Sequence, residues 1–97
     1  MTVWFISRHP GAIDWVRQRN ISIDHYEVHL DIAQVAAGDL VIGTLPIHMA
    51  AEVCQRGARF FFLALDLPAE YRGRELTAED IDRCHGRLVP YHVTELP

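Results

Sequence analysis

Val3-Trp4-Phe5-Ile6-Ser7-Arg8-His9-Pro10-Gly11 is the stretch on which the reading of this chain turns. Four consecutive apolar residues predict a strand buried on both faces of a sheet. A serine, an arginine, a histidine and a Pro-Gly turn follow with no spacer. Ala12, Ile13, Trp15 and Val16 then recur at helical spacing up to about Arg19, where Asn20 tolerates a left-handed helix end. The polar cluster therefore falls between the carboxyl end of a strand and the amino end of a helix, where α/β proteins hold anions.

Outward from that stretch, residues 25–30 alternate polar and apolar and predict a strand with one wet face, near a sheet edge. Residues 31–38 allow a single helical turn with Asp31 as cap and Gly38 as stop. Leu40-Val41-Ile42-Gly43 reads as a second buried strand. Thr44 is the expected cap of the next helix, with Pro46 in its first turn, an apolar stripe of Ile47, Ala50, Ala51 and Cys54, and Gly57 as its stop. Phe60-Phe61-Phe62-Leu63-Ala64-Leu65 is too hydrophobic for an edge. A polar loop over 69–75 leads to a capping box at Thr77 and Asp80 and a final helix to about His85. Val89, Tyr91 and Val93 alternate in a last strand that Pro90 confines to an edge.

Strand, helix, strand, strand, helix, strand, helix, strand predicts one α/β domain spanning 1–97, a mostly parallel five-stranded Rossmann-like sheet with helices on both faces. Right-handed crossovers and two edge-type strands favour the order 2-1-3-4-5, the last strand antiparallel. The chain then reverses between the first and third strands, and open α/β sheets bind ligands at such a switch point. That places Ser7 to Gly11 beside Gly43 to His48.

The 97 residues are 49% hydrophobic and 23% charged, an ordinary globular composition. A net charge of −4 leaves no overall basic field for duplex nucleic acid, so an anion must be met locally. No window reaches membrane-spanning length and no leader is evident at the start, which makes a cytoplasmic location the expectation. Cys54 and Cys84 are expected as buried free thiols. His25 and His29 sit four apart on a strand, about 13 Å, too far to share a metal ion. The chain has no lysine, hence no P-loop, and no GxGxxG or GxSxG motif.

The candidate site is thus Ser7, Arg8, His9, Pro10 and Gly11, which offer a hydroxyl, a fixed cation, an imidazole and approachable backbone suited to a phosphate. Gly43, Thr44, Leu45 and His48 face it across the switch point. Arg72 and Arg74, on the same side of the sheet, are placed to reach over a bound anion, and Asp66 ends the fourth strand. Blander alternatives stand beside each: Ser7 as a helix cap, Gly43 to Pro46 as a simple turn, Arg72-Gly73-Arg74 as a solvated loop, Asp66 as a structural carboxylate.

Trp4 to Ala12, His29-Leu30-Asp31, Gly43-Thr44-Leu45-Pro46, Ala51-Glu52-Val53-Cys54, Arg59, Leu65-Asp66-Leu67-Pro68 and Arg72-Gly73-Arg74-Glu75-Leu76 together resemble a known family. It is the small type III CRISPR accessory family catalogued as the sixteenth Csx protein, and the resemblance spans nearly the whole chain. It implies a CARF-like α/β fold and the handling of cyclic oligoadenylate second messengers, cyclic tetra-adenylate foremost. It also implies ring nuclease activity, without metal or cofactor, in which a ribose 2′-hydroxyl attacks its own phosphorus and the antiviral signal is switched off.

Within that chemistry, residue type and position make His9 the acid or base, with His48 as its alternative, Arg8 the stabiliser of phosphorane charge, and Ser7 and Thr44 holders of oxygens. The approximate two-fold symmetry of a cyclic tetranucleotide matches a C2 homodimer. A rival reading is a binding module that sequesters or senses the messenger without cutting it, and a third is a protein adaptor with no messenger at all.

Overall fold

The computed structural model describes all of residues 1–97. Its sheet has the expected order 2-1-3-4-5: β1 (Val3–Ile6), β2 (His25–Glu27), β3 (Leu40–Gly43) and β4 (Arg59–Ala64) are parallel, and β5 (Arg87–Tyr91) runs antiparallel to β4. Alternation along the strands divides the core. Val3, Phe5, Ile42 and Leu63 face α1 (Pro10–Arg17) and α3 (Ala78–Arg83), while Trp4, Ile6, Val41 and Phe60 face α2 (Ile47–Gln55). Phe5 in β1 and Val53 in α2 are fully enclosed, each contributing roughly 1.5–3 kcal/mol through burial. Helices therefore cover both faces, and three parallel strands, β1, β3 and β4, deliver their carboxyl ends to one rim.

The departures from expectation have local causes. The second strand stops at Glu27 rather than near Leu30, because β1, its only neighbour, ends at Ile6 opposite Glu27. The helical turn after Asp31 is a short 3₁₀ turn, Ile32–Gln34, with the Asp31 carboxylate accepting from the Ala33 amide. It ends well before Gly38, which instead makes the left-handed turn into β3. Thr44 does not cap α2. A residue preceding proline is pushed out of the helical region, so the helix does not begin at Leu45 and waits until Pro46 stands at the cap position. The helix face rotates accordingly: Ala50 and Val53 are its buried residues, and Ile47 is 73% exposed. Cys84 is buried as expected, but Cys54 is half-buried and accepts the Val93 amide at 3.4 Å. The capping box at Thr77 and Asp80 forms in full.

At the amino edge of the sheet one buried carboxylate ties three segments together. Asp39 accepts the Thr2 and Ala36 amides at 2.9 Å each and the Trp4 indole at 3.3 Å. Beside it, Asp24 accepts the Val3 amide at 2.7 Å. Asp39→Ala strands those donors and is expected to lower stability by about 2 kcal/mol or more, read as a shift in the urea midpoint at unchanged slope.

The same carboxylate contributes acid sensitivity. The Ala36 and Thr2 amides hold the Asp39 carboxyl below its ordinary value of 3.8, the Thr77 amide does so for Asp80, and the Trp15 indole for Asp82. A carboxyl depressed in the folded state stabilises above its unfolded value, and that contribution disappears as pH falls through the folded one. The thermal midpoint should therefore fall progressively below 3.8, and less steeply once Asp39 is alanine.

Candidate functional site

The first turn is built by Ser7. Its amide donates to the Glu27 carbonyl at 3.0 Å, tying the end of β1 to β2, and its Oγ accepts the His9 amide at 3.1 Å. With its acceptor engaged inside the turn, the hydroxyl keeps its proton free to donate. His9 stands at the cap position of α1 in extended conformation, its imidazole unused by the helix, and its carbonyl accepts both the Ala12 and Ile13 amides. Neither α1 nor α2 takes a side-chain cap, so both present uncapped amino ends to the carboxyl rim.

Two glycines bring the walls together. A Cβ on Gly43 would stand 2.2 Å from the Ile6 carbonyl oxygen, and Gly43 has φ +137. Its hydrogen lets the ends of β1 and β3 close on each other. A Cβ on Gly11 would lie 1.8 Å from the Leu76 carbonyl oxygen, so α1 starts in direct contact with the segment leading to α3.

Between these walls is a cavity of about 390 Å³. Ser7, His9, Gly43 and Thr44 line it from the two strand-to-helix turns. Leu65, Leu67, Tyr71, Gly73, Arg74 and Leu76 line it from the segment after β4, with Ile6, Leu63 and Ile81 buried beneath. Arg74 is held by its neighbours: its guanidinium lies 4.2 Å over the Tyr71 ring, and Nη2 is 3.7 Å from Asp80 Oδ1. Asp80, fixed in its capping box, thus serves as an anchor for a cation on the cavity wall. No carboxylate lines the cavity, although the chain carries a net charge of −4.

Of the residues expected at the site, Ser7, His9, Gly43, Thr44 and Arg74 share this cavity. Arg8 and Arg72 are exposed, lie outside its lining and form no ion pair. Pro10 is exposed at the start of α1, and Gly11 is buried in helix packing rather than open to a ligand. Leu45 packs against the core on the α2 side. His48 lies elsewhere, in a separate groove with Glu52, Gln55, Arg56 and Glu95, because the helix starts only after Pro46. Asp66 pairs outside the cavity with His85 Nδ1 at 3.3 Å and Arg87 Nη2 at 3.4 Å.

Sequence reading missed the apolar wall. Leu65 is expected to continue the fourth strand but lies just past its end at Ala64, and Leu67, Tyr71 and Leu76 follow in a segment with no helical or strand period. Their signal was large apolar residues in a stretch that needs none for regular structure. Metal ligation finds no donor set, since nowhere do three His, Cys, Asp or Glu side chains converge, and His25 stacks on Trp4 at 4.5 Å.

An open α/β domain with a small, acid-free cavity at its switch point is the class of protein that fold and site define. Residues 4–94 match the family described as "Putative CRISPR-associated protein (Cas_VVA1548)", and the chain belongs to that family. No curated protein and no solved structure matches it. No helix is long and apolar enough to cross a membrane.

Proposed function

We propose that this CRISPR-associated protein is a ring nuclease that binds a cyclic oligoadenylate, foremost cyclic tetra-adenylate, and opens it. The reading rests on the CRISPR family and on one observation: both strand-to-helix turns line a single cavity that has no carboxylate and has Arg74 on its wall. A ring of phosphodiesters is the antiviral messenger chemistry that such a lining favours.

In the proposed reaction a ribose 2′-oxygen bonds to the adjacent phosphorus as the bond from phosphorus to the 5′-oxygen breaks. The product is a linear strand ending in a 2′,3′-cyclic phosphate. His9 accepts the 2′-hydroxyl proton, or supplies one to the departing 5′-oxygen, with water completing the exchange. Ser7 Oγ–H, Thr44 and the Arg74 guanidinium stabilise the equatorial oxygens. Arg74 takes the part first expected of Arg8. No step requires a metal or cofactor. A C2 pair would present the cavity twice to a two-fold ring.

The rival is a non-catalytic sponge or sensor, favoured by the fact that His9 is the only imidazole on the lining. Incubation of excess protein with labelled cyclic tetra-adenylate in EDTA separates the two. Ring opening with a 2′,3′-cyclic phosphate end is the expected outcome. Intact ring retained on the protein would leave the sponge, and no retention would defeat both.

A further inference from the structure

We infer that the cavity is a single-nucleotide subsite, its leucine-rich wall holding one nucleobase while Ser7 and Arg74 take the attached phosphate. This inference rests on the nucleotide reading above and narrows it. An anion alone needs amides, hydroxyls and cations, and gains nothing from hydrocarbon. Yet Leu65, Leu67 and Leu76 line the cavity along with the Tyr71 ring, and Leu67 remains 37% exposed.

The cavity is two-sided by construction. Ser7, His9 and Thr44 come from the two strand-to-helix turns, and Leu65, Leu67, Tyr71 and Leu76, together with Arg74, from the segment that follows β4. Arg74 belongs to that segment and stacks on Tyr71, so cation and aromatic surface stand side by side. A ligand matching both sides is flat and apolar at one end and anionic at the other, as a nucleoside monophosphate is.

Size makes the same selection. At about 390 Å³ the cavity is near the small end of the roughly 300–1,000 Å³ range of small-molecule sites. It has room for one nucleotide and not for a cyclic tetranucleotide. The remainder of a ring must lie outside the mouth, so each copy of the chain grips one unit of it. The apolar wall supplies affinity by stacking and desolvation.

The test is a calorimetric titration of the full chain, at fixed ionic strength, with adenosine 5′-monophosphate, ribose 5-phosphate and adenosine. The monophosphate should bind at least about tenfold more tightly than either fragment. Leu67→Ser should reduce its affinity toward that of ribose 5-phosphate, and Arg74→Ala toward that of adenosine. Tyr71→Ala repeats the first comparison should Leu67→Ser fail to fold.

Equal affinity for the monophosphate and ribose 5-phosphate, or no measurable binding of the monophosphate, would overturn the subsite. That failure is distinct from failure of the ring nuclease reading. Cyclic tetra-adenylate opened by a protein indifferent to the base would end only the subsite. A tight monophosphate site on a protein that ignores the ring would end only the nuclease.

Discussion

His9→Ala should slow single-turnover opening of cyclic tetra-adenylate by about 10²-fold or more while leaving affinity for the ring nearly unchanged. The imidazole caps no helix and enters no hydrogen bond or ion pair, so its removal leaves the fold intact. What it does is line the cavity beside Ser7, whose hydroxyl proton the turn leaves free. A group that only moves protons contributes at the transition state and little to ground-state binding. Arg74→Ala should show the opposite split, a weakened complex together with a lower rate, because a fixed cation attracts the phosphate before and during reaction. Equal single-turnover rates for His9→Ala and the unaltered protein would remove the proton-transfer role and leave catalysis to positioning alone.

The second large effect is on the fold. Gly43→Ala is expected to cost about 3 kcal/mol or more, a large part of the roughly 5–15 kcal/mol that holds a domain of this kind together. Two penalties coincide at this residue. The backbone at φ +137 disfavours any side chain, and the added carbon meets the Ile6 carbonyl oxygen at 2.2 Å, an atom fixed in the sheet. Relief requires parting β1 from β3 where both turn into the cavity. Gly73→Ala is the control: Gly73 also has positive φ, at +80, but a Cβ there meets nothing within 4 Å, so only about 1 kcal/mol is expected. Thermal melts of the two variants give the comparison, and indistinguishable midpoints would show that the contact with Ile6 carries no weight.

The sheet was legible because its information is local. Apolar runs at 3–6, 40–43 and 60–65 mark interior strands, Pro90 marks an edge, and right-handed connections favour the strand order found. The switch point followed, and with it Ser7, His9, Gly43 and Thr44. The failures came where one residue conditions another across a turn. Pro46 acts on Leu45, which moved the start of α2, freed Thr44 from capping and left His48 outside the cavity. Choosing among arginines was beyond sequence reading for a different reason. Arg8, Arg72 and Arg74 are equivalent as letters, and only the Asp80 carboxylate and Tyr71 ring single out Arg74. Leu67, Tyr71 and Leu76 of the apolar wall have no period to betray them, since they lie between β4 and α3.

The anchoring of Thr2 and Val3 by Asp39 and Asp24 settles which way the molecule faces when it is tethered. Those bonds hold the start of β1 at the amino edge of the sheet, while the cavity mouth lies across the carboxyl rim. A fluorophore or resin linked through Met1 consequently departs from the side remote from the ligand, leaving the opening turned toward bulk solution and accessible to a ring arriving from it.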